Sequence, residues 1–238
     1  MIKKSGFTLA ETLIVIGIIG VVAALTLPNL NSSTGDIEKV VKVRKIYSNL
    51  NDVFGRATVA YGPVNGWFVN DSNATAFATR FGERITEFMK LSKNCGISTN
   101  AGCFTSGASK TPDGSSHNFD TVPYFYKMIT ADGSSIAFWV HDKNFSQTRC
   151  CGYIYVDIDG PNKGSYTWGK DIFVFYIYKD RIVPNWPNNT LKDCIRYGSY
   201  CANWIIENGN MDYLKVDSDG KCPDGKTILD GTTNTTCK

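Results

Sequence analysis

Histidine is scarce in this chain, and cysteine is absent from the first 94 residues. The two histidines, His117 and His141, lie outside any G-x-S-x-G motif or comparable nucleophile context. Glycine-rich loops of the kind that cradle phosphates are also missing from the sequence. The sequence therefore contains no motif for hydrolytic or nucleotide-dependent catalysis, and we expect a protein that is not an enzyme.

The net charge of the chain is also small. The 238 residues carry 25 basic and 22 acidic side chains, which leaves a formal charge of +3. That balance gives no support to nucleic acid as a partner. With 13% aromatic and only 20% charged residues, the chain can bury enough apolar surface to fold, which excludes a disordered protein.

The eight cysteines all fall in the carboxyl-terminal part, and their spacing does not fit a zinc site. Zinc sites usually bring cysteine pairs two to four residues apart. An even number of cysteines spread in this way is typical of a disulfide-bearing domain outside the cytoplasm. The candidates for disulfides are Cys95, Cys103, Cys150, Cys151, Cys194, Cys201, Cys222 and Cys237.

The pairing of these cysteines stays open at this point. Cys95 could close a loop with Cys103, and Cys222 another with Cys237. Cys194 and Cys201 can pair only if the chain around residues 197–199 interrupts a helix, since one continuous helix would hold them about 10 Å apart along its axis. The adjacent Cys150 and Cys151 are expected to have separate partners.

A long apolar run lies at the amino terminus. Residues 7–27, FTLAETLIVIGIIGVVAALTL, contain a single charge, Glu11. As a helix this run would be about 31 Å long, enough to cross a bilayer's hydrocarbon core. Lys3 and Lys4 precede it and favour a cytoplasmic amino terminus, and no small-residue cleavage site follows it. The run is therefore predicted to be retained as a membrane-spanning helix.

A second, amphipathic helix is predicted beyond the apolar run. Pro28 either kinks the first helix or ends it, and the polar stretch NLNSSTGD favours local unwinding after it. Asp36 is suited to cap the second helix, and Gly62-Pro63 to end it. Apolar residues spaced by three and four positions then predict one buried face, formed by Ile37, Val40, Val41, Tyr47, Leu50, Phe54 and Ala57.

The remaining sequence predicts a mixed head. Residues 75–90 have the pattern of a helix, and short runs rich in β-branched and aromatic residues predict strands. We therefore expect an α+β fold, in which a long amino-terminal helix packs on a small antiparallel sheet that carries disulfides. The predicted strands are 135–140, 153–158 and 172–178.

The amino-terminal residues KKSGFTLAETLIVIGIIGVVAALTLPNL resemble those of type IV pilins and type II secretion pseudopilins. The shared features are a basic leader, Gly6 followed by Phe7, Glu11 at the fifth position after Gly6, an unbroken apolar run and Pro28 near its end. The resemblance implies cleavage between Gly6 and Phe7 by a prepilin peptidase, which then methylates the new amino group. It also implies four segments: a leader 1–6, a transmembrane and assembly helix 7–30, a linker and amphipathic helix 31–62, and a globular head 63–238.

Glu11 has two interpretations. A carboxylate inside an apolar helix costs about 2.5–3.5 kcal/mol on insertion scales, so it needs a partner or an exit to water. The resemblance implies that its partner is the methylated amino group of Phe7 on a neighbouring subunit. Alternatively, Glu11 reaches the cytoplasmic interface of a simple membrane anchor.

The resemblance further implies a structural subunit and its partners. These are identical or related pilin subunits, the prepilin peptidase, an inner-membrane assembly platform, a cytoplasmic assembly ATPase and membrane lipid. The subunit would first be a single-pass inner-membrane protein with its head in the periplasm or outside the cell, and later part of a filament. Secretion, DNA uptake, adhesion and twitching are not distinguished by these residues.

An acidic loop between two predicted strands is a candidate calcium site. Residues 157–171, DIDGPNKGSYTWGKD, also resemble a pseudopilin segment. Asp157, Asp159 and Asp171 supply hard oxygen ligands, and Asn162 could complete the shell. The alternative is a hairpin whose Asp and Gly residues only shape turns. A second acidic turn, residues 217–225, is a weaker candidate.

A function of a different class is a monomeric, membrane-tethered module whose head binds a glycan or a peptide. Trp67, Trp168 and Trp186 are the candidate contact residues for such a ligand. Core packing explains aromatic residues equally well.

Overall fold

The computed structural model describes residues 9–186 and 189–237, and for residues 23–34 it describes the backbone alone. The chain divides into two compact units, Met1–Glu38 and Lys39–Lys238. Four helices and eight strands are described: α1 Leu9–Tyr61, α2 Ala74–Thr86, β1 Leu91–Gly96, β2 Ser109–Lys110, β3 Ser116–His117, β4 Tyr126–Thr130, β5 Ser135–Val140, β6 Gly152–Asp157, β7 Ile172–Ile177, β8 Ile182–Val183, α3 Leu191–Tyr197 and α4 Cys201–Asn208.

The second unit is built on a six-stranded antiparallel sheet in the order β1-β4-β5-β6-β7-β8. β2 and β3 form a separate two-stranded ribbon. The three strands that the sequence predicts are all present, within a residue or two of their predicted ends. The mixed α+β fold with an antiparallel sheet and disulfides is therefore confirmed.

Each face of the sheet has its own core. One face packs against α1, α2 and the carboxyl-terminal segment, and Phe138, Phe173 and Phe175 are fully buried there. Gly82 lets α2 approach the sheet closely, because a Cβ at that position would lie 2.2 Å from the ring of Tyr126. The other face is covered in part by the loops between β1 and β4 and between β6 and β7.

The helix α1 differs from its prediction in two respects. It runs through Pro28 without interruption, so the expected break is not present and Asp36 lies inside the helix rather than at its start. A proline removes one backbone donor, and the helical hydrogen bonds of the flanking residues remain available. The buried face of the helix is also rotated relative to the predicted one. Ile37 and Val41, predicted to be buried, are exposed. The buried apolar residues of this face are Val40, Val43, Ile46, Leu50, Val53, Phe54 and Ala57. The helix ends before Gly62, as expected.

The carboxyl-terminal helical segment is divided into α3 and α4, so the interruption that pairing of Cys194 with Cys201 requires is present. α3 ends at Gly198, whose φ of +71° belongs to the left-handed region. A Cβ at Gly198 would lie 2.7 Å from the backbone of Trp168, so only glycine fits there. This break brings the Cα atoms of Cys194 and Cys201 to 4.7 Å, and the two residues form a disulfide.

Two further disulfides join Cys95 to Cys103 and Cys222 to Cys237. The expectation that Cys150 and Cys151 also pair with distant cysteines is wrong, because both are free and buried. Neighbouring residues of an extended chain point to opposite faces. Cys150 accordingly packs in one core and Cys151 in the other, and the remaining six cysteines are already paired.

Candidate functional site

The first described turns of α1 form an apolar surface. Between Leu9 and Val22 the large apolar side chains have exposed fractions from 50 to 82%. An apolar surface of this extent on a protein marks a site of contact with another protein or with lipid.

The predicted assembly residues lie in or next to this surface. Glu11 is exposed in the first turn of α1, among apolar neighbours. Pro28 lies within the helical backbone, and Gly6 and Phe7 lie outside the described residues.

Among the residues that the structure describes, no helix has the length and hydropathy that crossing a membrane requires.

Charged residues of α1 bind the second unit's acidic loop. The ammonium group of Lys39 pairs with Asp171 and lies 3.5 Å from Asp159, and that of Lys42 lies 3.4 Å from Asp159. Farther along, Lys45 pairs with Asp132 at 2.9 Å. In the sequence, these lysines place positive charge after the apolar run as well as before it, which weakens the indication that the amino terminus lies in the cytoplasm. In the folded protein, these lysines form ion pairs that hold α1 against the loops of the sheet.

Arg44 makes a different contact, with the end of α4. Its guanidinium donates to the carbonyl oxygens of Ile205 at 3.2 Å and Ile206 at 2.9 Å. Carbonyl groups in the last turn of a helix lack helical partners and carry partial negative charge, so a cation there is favourable. Nothing in the local sequence around Arg44 indicates this contact.

Asp171 is the centre of the acidic loop. Its side chain is completely buried, and one carboxylate oxygen faces Lys39. The other accepts hydrogen bonds from the Ser165 amide at 2.9 Å, the Ser165 hydroxyl at 2.5 Å and the Thr167 amide at 3.2 Å. Burial alone would raise the pKa of Asp171, but Lys39 and Ser165 outweigh it and hold the pKa below its ordinary value.

Two of the predicted calcium ligands, Asp159 and Asp171, already face a cation of the protein itself. The described residues contain no group of three or more His, Cys, Asp or Glu side chains that could hold a metal ion. Asp159 and Asp171 share Lys39, so an ammonium group supplies the positive charge that calcium would bring. The backbone amide of Asn162 donates to the Thr105 hydroxyl at 2.9 Å.

The second acidic turn uses its carboxylates locally. Asp217 accepts hydrogen bonds from the amides of Asp219 and Lys221, each at 2.9 Å. Asp224 does the same for Lys226 and Thr227. These contacts shape turns, as the alternative reading of such sequences predicts.

Asp157 lies at the end of β6 and differs from Asp171. It is fully buried, and its Oδ2 has no hydrogen-bond partner among the described residues. Its Oδ1 accepts from the amide of Asp159 at 3.2 Å. Burial raises the pKa of Asp157 to about 7, and the charges of Asp171 and Asp159 act in the same direction.

The structure separates the three tryptophans proposed as ligand contacts. Trp67 and Trp168 are buried, with exposed fractions of 2 and 6%, so they belong to the cores and that expectation is wrong for them. Trp186 has an exposed fraction of 37% and is accessible. His117 lies against Trp168, with ring centroids 5.0 Å apart.

Comparison with known proteins identifies the amino terminus. Residues 1–27 match the family model described as the prokaryotic N-terminal methylation motif. This motif is the signature of type IV pilins and pseudopilins, so the chain carries the pilin-type amino terminus that its sequence predicts. No curated protein and no solved structure matched the chain.

We predict that Lys39→Met lowers the free energy of unfolding by about 1–3 kcal/mol, because it leaves Asp171 buried without its counter-ion. The loss is smaller than for a fully buried pair, since Ser165 and Thr167 still bind the carboxylate. Urea denaturation of the full chain in detergent measures it. Lys45→Met is the matched control: both members of its pair are well exposed, so it should cost less than about 1 kcal/mol. Equal losses in the two variants would contradict the assigned role of Lys39.

Asp157→Asn should alter the pH dependence of stability. A carboxyl whose pKa rises from 3.8 to about 7 on folding favours the folded state fully below 3.8, and that contribution is lost as the pH rises through 7. The variant lacks this loss, so at about pH 8 its Tm should exceed that of the parent by ~2–4 °C or more, while at acid pH the two should converge.

The scan is done with chelator and repeated with added calcium in both proteins. A constant difference in Tm at all pH values would show that the charge of Asp157 is not responsible. A parent Tm that rises only when calcium is added would support the predicted calcium site at Asp157, Asp159, Asn162 and Asp171.

Proposed function

We propose that this protein is a structural pilin-like subunit, a pilin or pseudopilin, that is cut between Gly6 and Phe7 and then assembled into a filament. The methylation motif at residues 1–27 carries the proposal, because it is the signature of such subunits. In this proposal the amino-terminal apolar helix holds the subunit in the inner membrane before assembly. The head then lies in the periplasm or outside the cell.

The exposed side chains between Leu9 and Val22 support packing between subunits. They are apolar on every side of the helix, so one neighbour is not enough to cover them. Bundled copies of the same helix would cover them on all sides and would replace lipid contacts by helix contacts. Glu11 would then pair with the methylated amino group of Phe7 of a neighbouring subunit, which removes the cost of a carboxylate among apolar groups.

The ion pairs and apolar contacts that hold α1 within the second unit also support a role in which the subunit withstands mechanical force. Lys39, Lys42, Arg44 and Lys45 each bind a partner that is distant in sequence, and apolar residues of the same helix enter the core. A helix held in this way keeps the head attached when the amino-terminal part is pulled or packed. The disulfides suit a head that works in an oxidising compartment.

The proposed partners follow from this assignment. They are identical or related subunits, the prepilin peptidase, an inner-membrane assembly platform and a cytoplasmic assembly ATPase. The proposed role requires no catalysis by the head.

Mass spectrometry of the amino-terminal peptide tests the processing step. In cells that contain a prepilin peptidase we expect the purified chain to begin at a methylated Phe7. In cells without the peptidase the leader should remain attached. A chain that keeps its leader in the first case, or that begins beyond Pro28, would rule the proposal out and would leave the tethered or freely released binding module.

Glu11→Ala tests assembly. We expect processed monomers to accumulate in the membrane and filaments to fall at least tenfold, measured by shearing the cells and quantifying the subunit in the sheared fraction. Glu38→Ala is the matched control, because it removes the same side chain from an exposed position of the same helix beyond the apolar surface. Normal filament yield from Glu11→Ala would show that this carboxylate is not needed for assembly.

A further inference from the structure

One face of the sheet carries a row of aromatic side chains that the loops leave uncovered. We call Tyr124, Trp139, His141, Tyr153 and Trp186 the aromatic strip. Trp139 on β5 and Tyr153 on β6 are register partners, and their rings stack with centroids 5.2 Å apart. Tyr124 continues the row on one side at 6.0 Å from Trp139, and Trp186 on the other at 6.4 Å from Tyr153. His141 lies beside both central rings.

The strip is accessible over its whole length. Tyr124 and Trp186 have exposed fractions of 40 and 37%, His141 is exposed, and Trp139 and Tyr153 are half-buried. The exposed large apolar residues elsewhere in the second unit are mostly aliphatic and scattered, such as Val69 and Ile228. Contiguous exposed rings are less usual on a protein surface than single apolar residues and mark a binding surface.

Among the described residues, the indole and phenol groups of the strip differ from those of the buried tryptophans in their hydrogen bonding. Each indole N–H of the buried Trp67, Trp168 and Trp204 donates to a protein acceptor. Within the described part of the chain, the indole N–H groups of Trp139 and Trp186 have no such acceptor, and neither do the hydroxyls of Tyr124 and Tyr153. The strip thus offers ring surfaces and free hydrogen-bonding groups side by side.

Charge near the strip is balanced. Asp142 follows β5 and Arg149 precedes β6, and their side chains form an ion pair. The rings packed beside His141 partly desolvate its imidazole, although the residue as a whole is exposed, and this lowers its pKa and favours the neutral form. In that form no member of the strip carries a charge, which argues against nucleic acid, because such ligands need cationic side chains along the backbone.

We propose that the aromatic strip binds a neutral polysaccharide chain. The C–H faces of sugar rings pack on aromatic rings, and sugar hydroxyls bond to the indole and phenol groups that the strip leaves free. A second copy of the chain is the other candidate occupant, and the test below distinguishes it from a polysaccharide. This site is separate from the assembly helix and does not depend on the proposed filament.

The test uses the full processed chain in detergent with two probes: insoluble cellulose and chitin in sedimentation assays, and their soluble hexasaccharides titrated by tryptophan fluorescence. We expect retention on at least one polymer. Trp186→Ala and Trp139→Ala should each weaken binding about tenfold, the effect of roughly 1.4 kcal/mol. Trp186→Ala is the more informative of the two, because its ring is the more exposed and its loss disturbs the core least.

Ile228→Ala is the control, since it removes an exposed apolar side chain outside the strip and should bind like the parent. Circular dichroism and urea denaturation confirm that each variant is folded, and filament yield should stay at the parental level in all of them. Two results would overturn the proposal: no retention of the parent on either polymer, or unchanged binding by both folded tryptophan variants. Loss of filaments in Trp186→Ala, without polysaccharide binding by the parent, would assign the strip to subunit contact instead.

Discussion

The exposed apolar surface of the first described turns of α1 is the constraint on which the rest of this molecule depends. Between Leu9 and Val22 the side chains are apolar around the whole circumference of α1. Water is a poor environment for such a surface, so the chain needs lipid or other helices around it. A single carboxylate, Glu11, interrupts the surface, and in the proposed filament its pairing would give the helix contacts a direction and a register that apolar packing alone lacks.

The second half of α1 has a different environment. From Lys39 onward, one face is buried in the core of the head, and the flanking lysines and Arg44 bind distant acidic and carbonyl groups. The apolar contacts bury one face of the helix, and the ion pairs join it to acidic groups in the loops of the sheet. Lys39 also makes it possible to bury Asp171, whose hydrogen bonds with Ser165 and Thr167 shape the loop after β6.

The two faces of the sheet are used differently. One is closed by α1, α2 and the carboxyl-terminal helices and holds the larger core. The other is closed only in part, and the aromatic strip remains accessible beside the covering loops. In the proposed subunit the amino terminus serves assembly and the strip binds a ligand, so changes at one of these surfaces need not disturb the other.

The sequence by itself determined the pilin-type amino terminus, the three central strands and the need for disulfides, because each depends on residue order or on local period. Pairing of Cys194 with Cys201 required the break at Gly198, and the free thiols of Cys150 and Cys151 required the knowledge that they point to opposite faces. The buried face of α1, the cation beside Asp171 and the strip were decided only by tertiary structure. These features join residues more than a hundred positions apart or depend on which neighbour covers an element. Helical and strand periodicity marks a candidate apolar face, but it does not identify the residues that pack against that face.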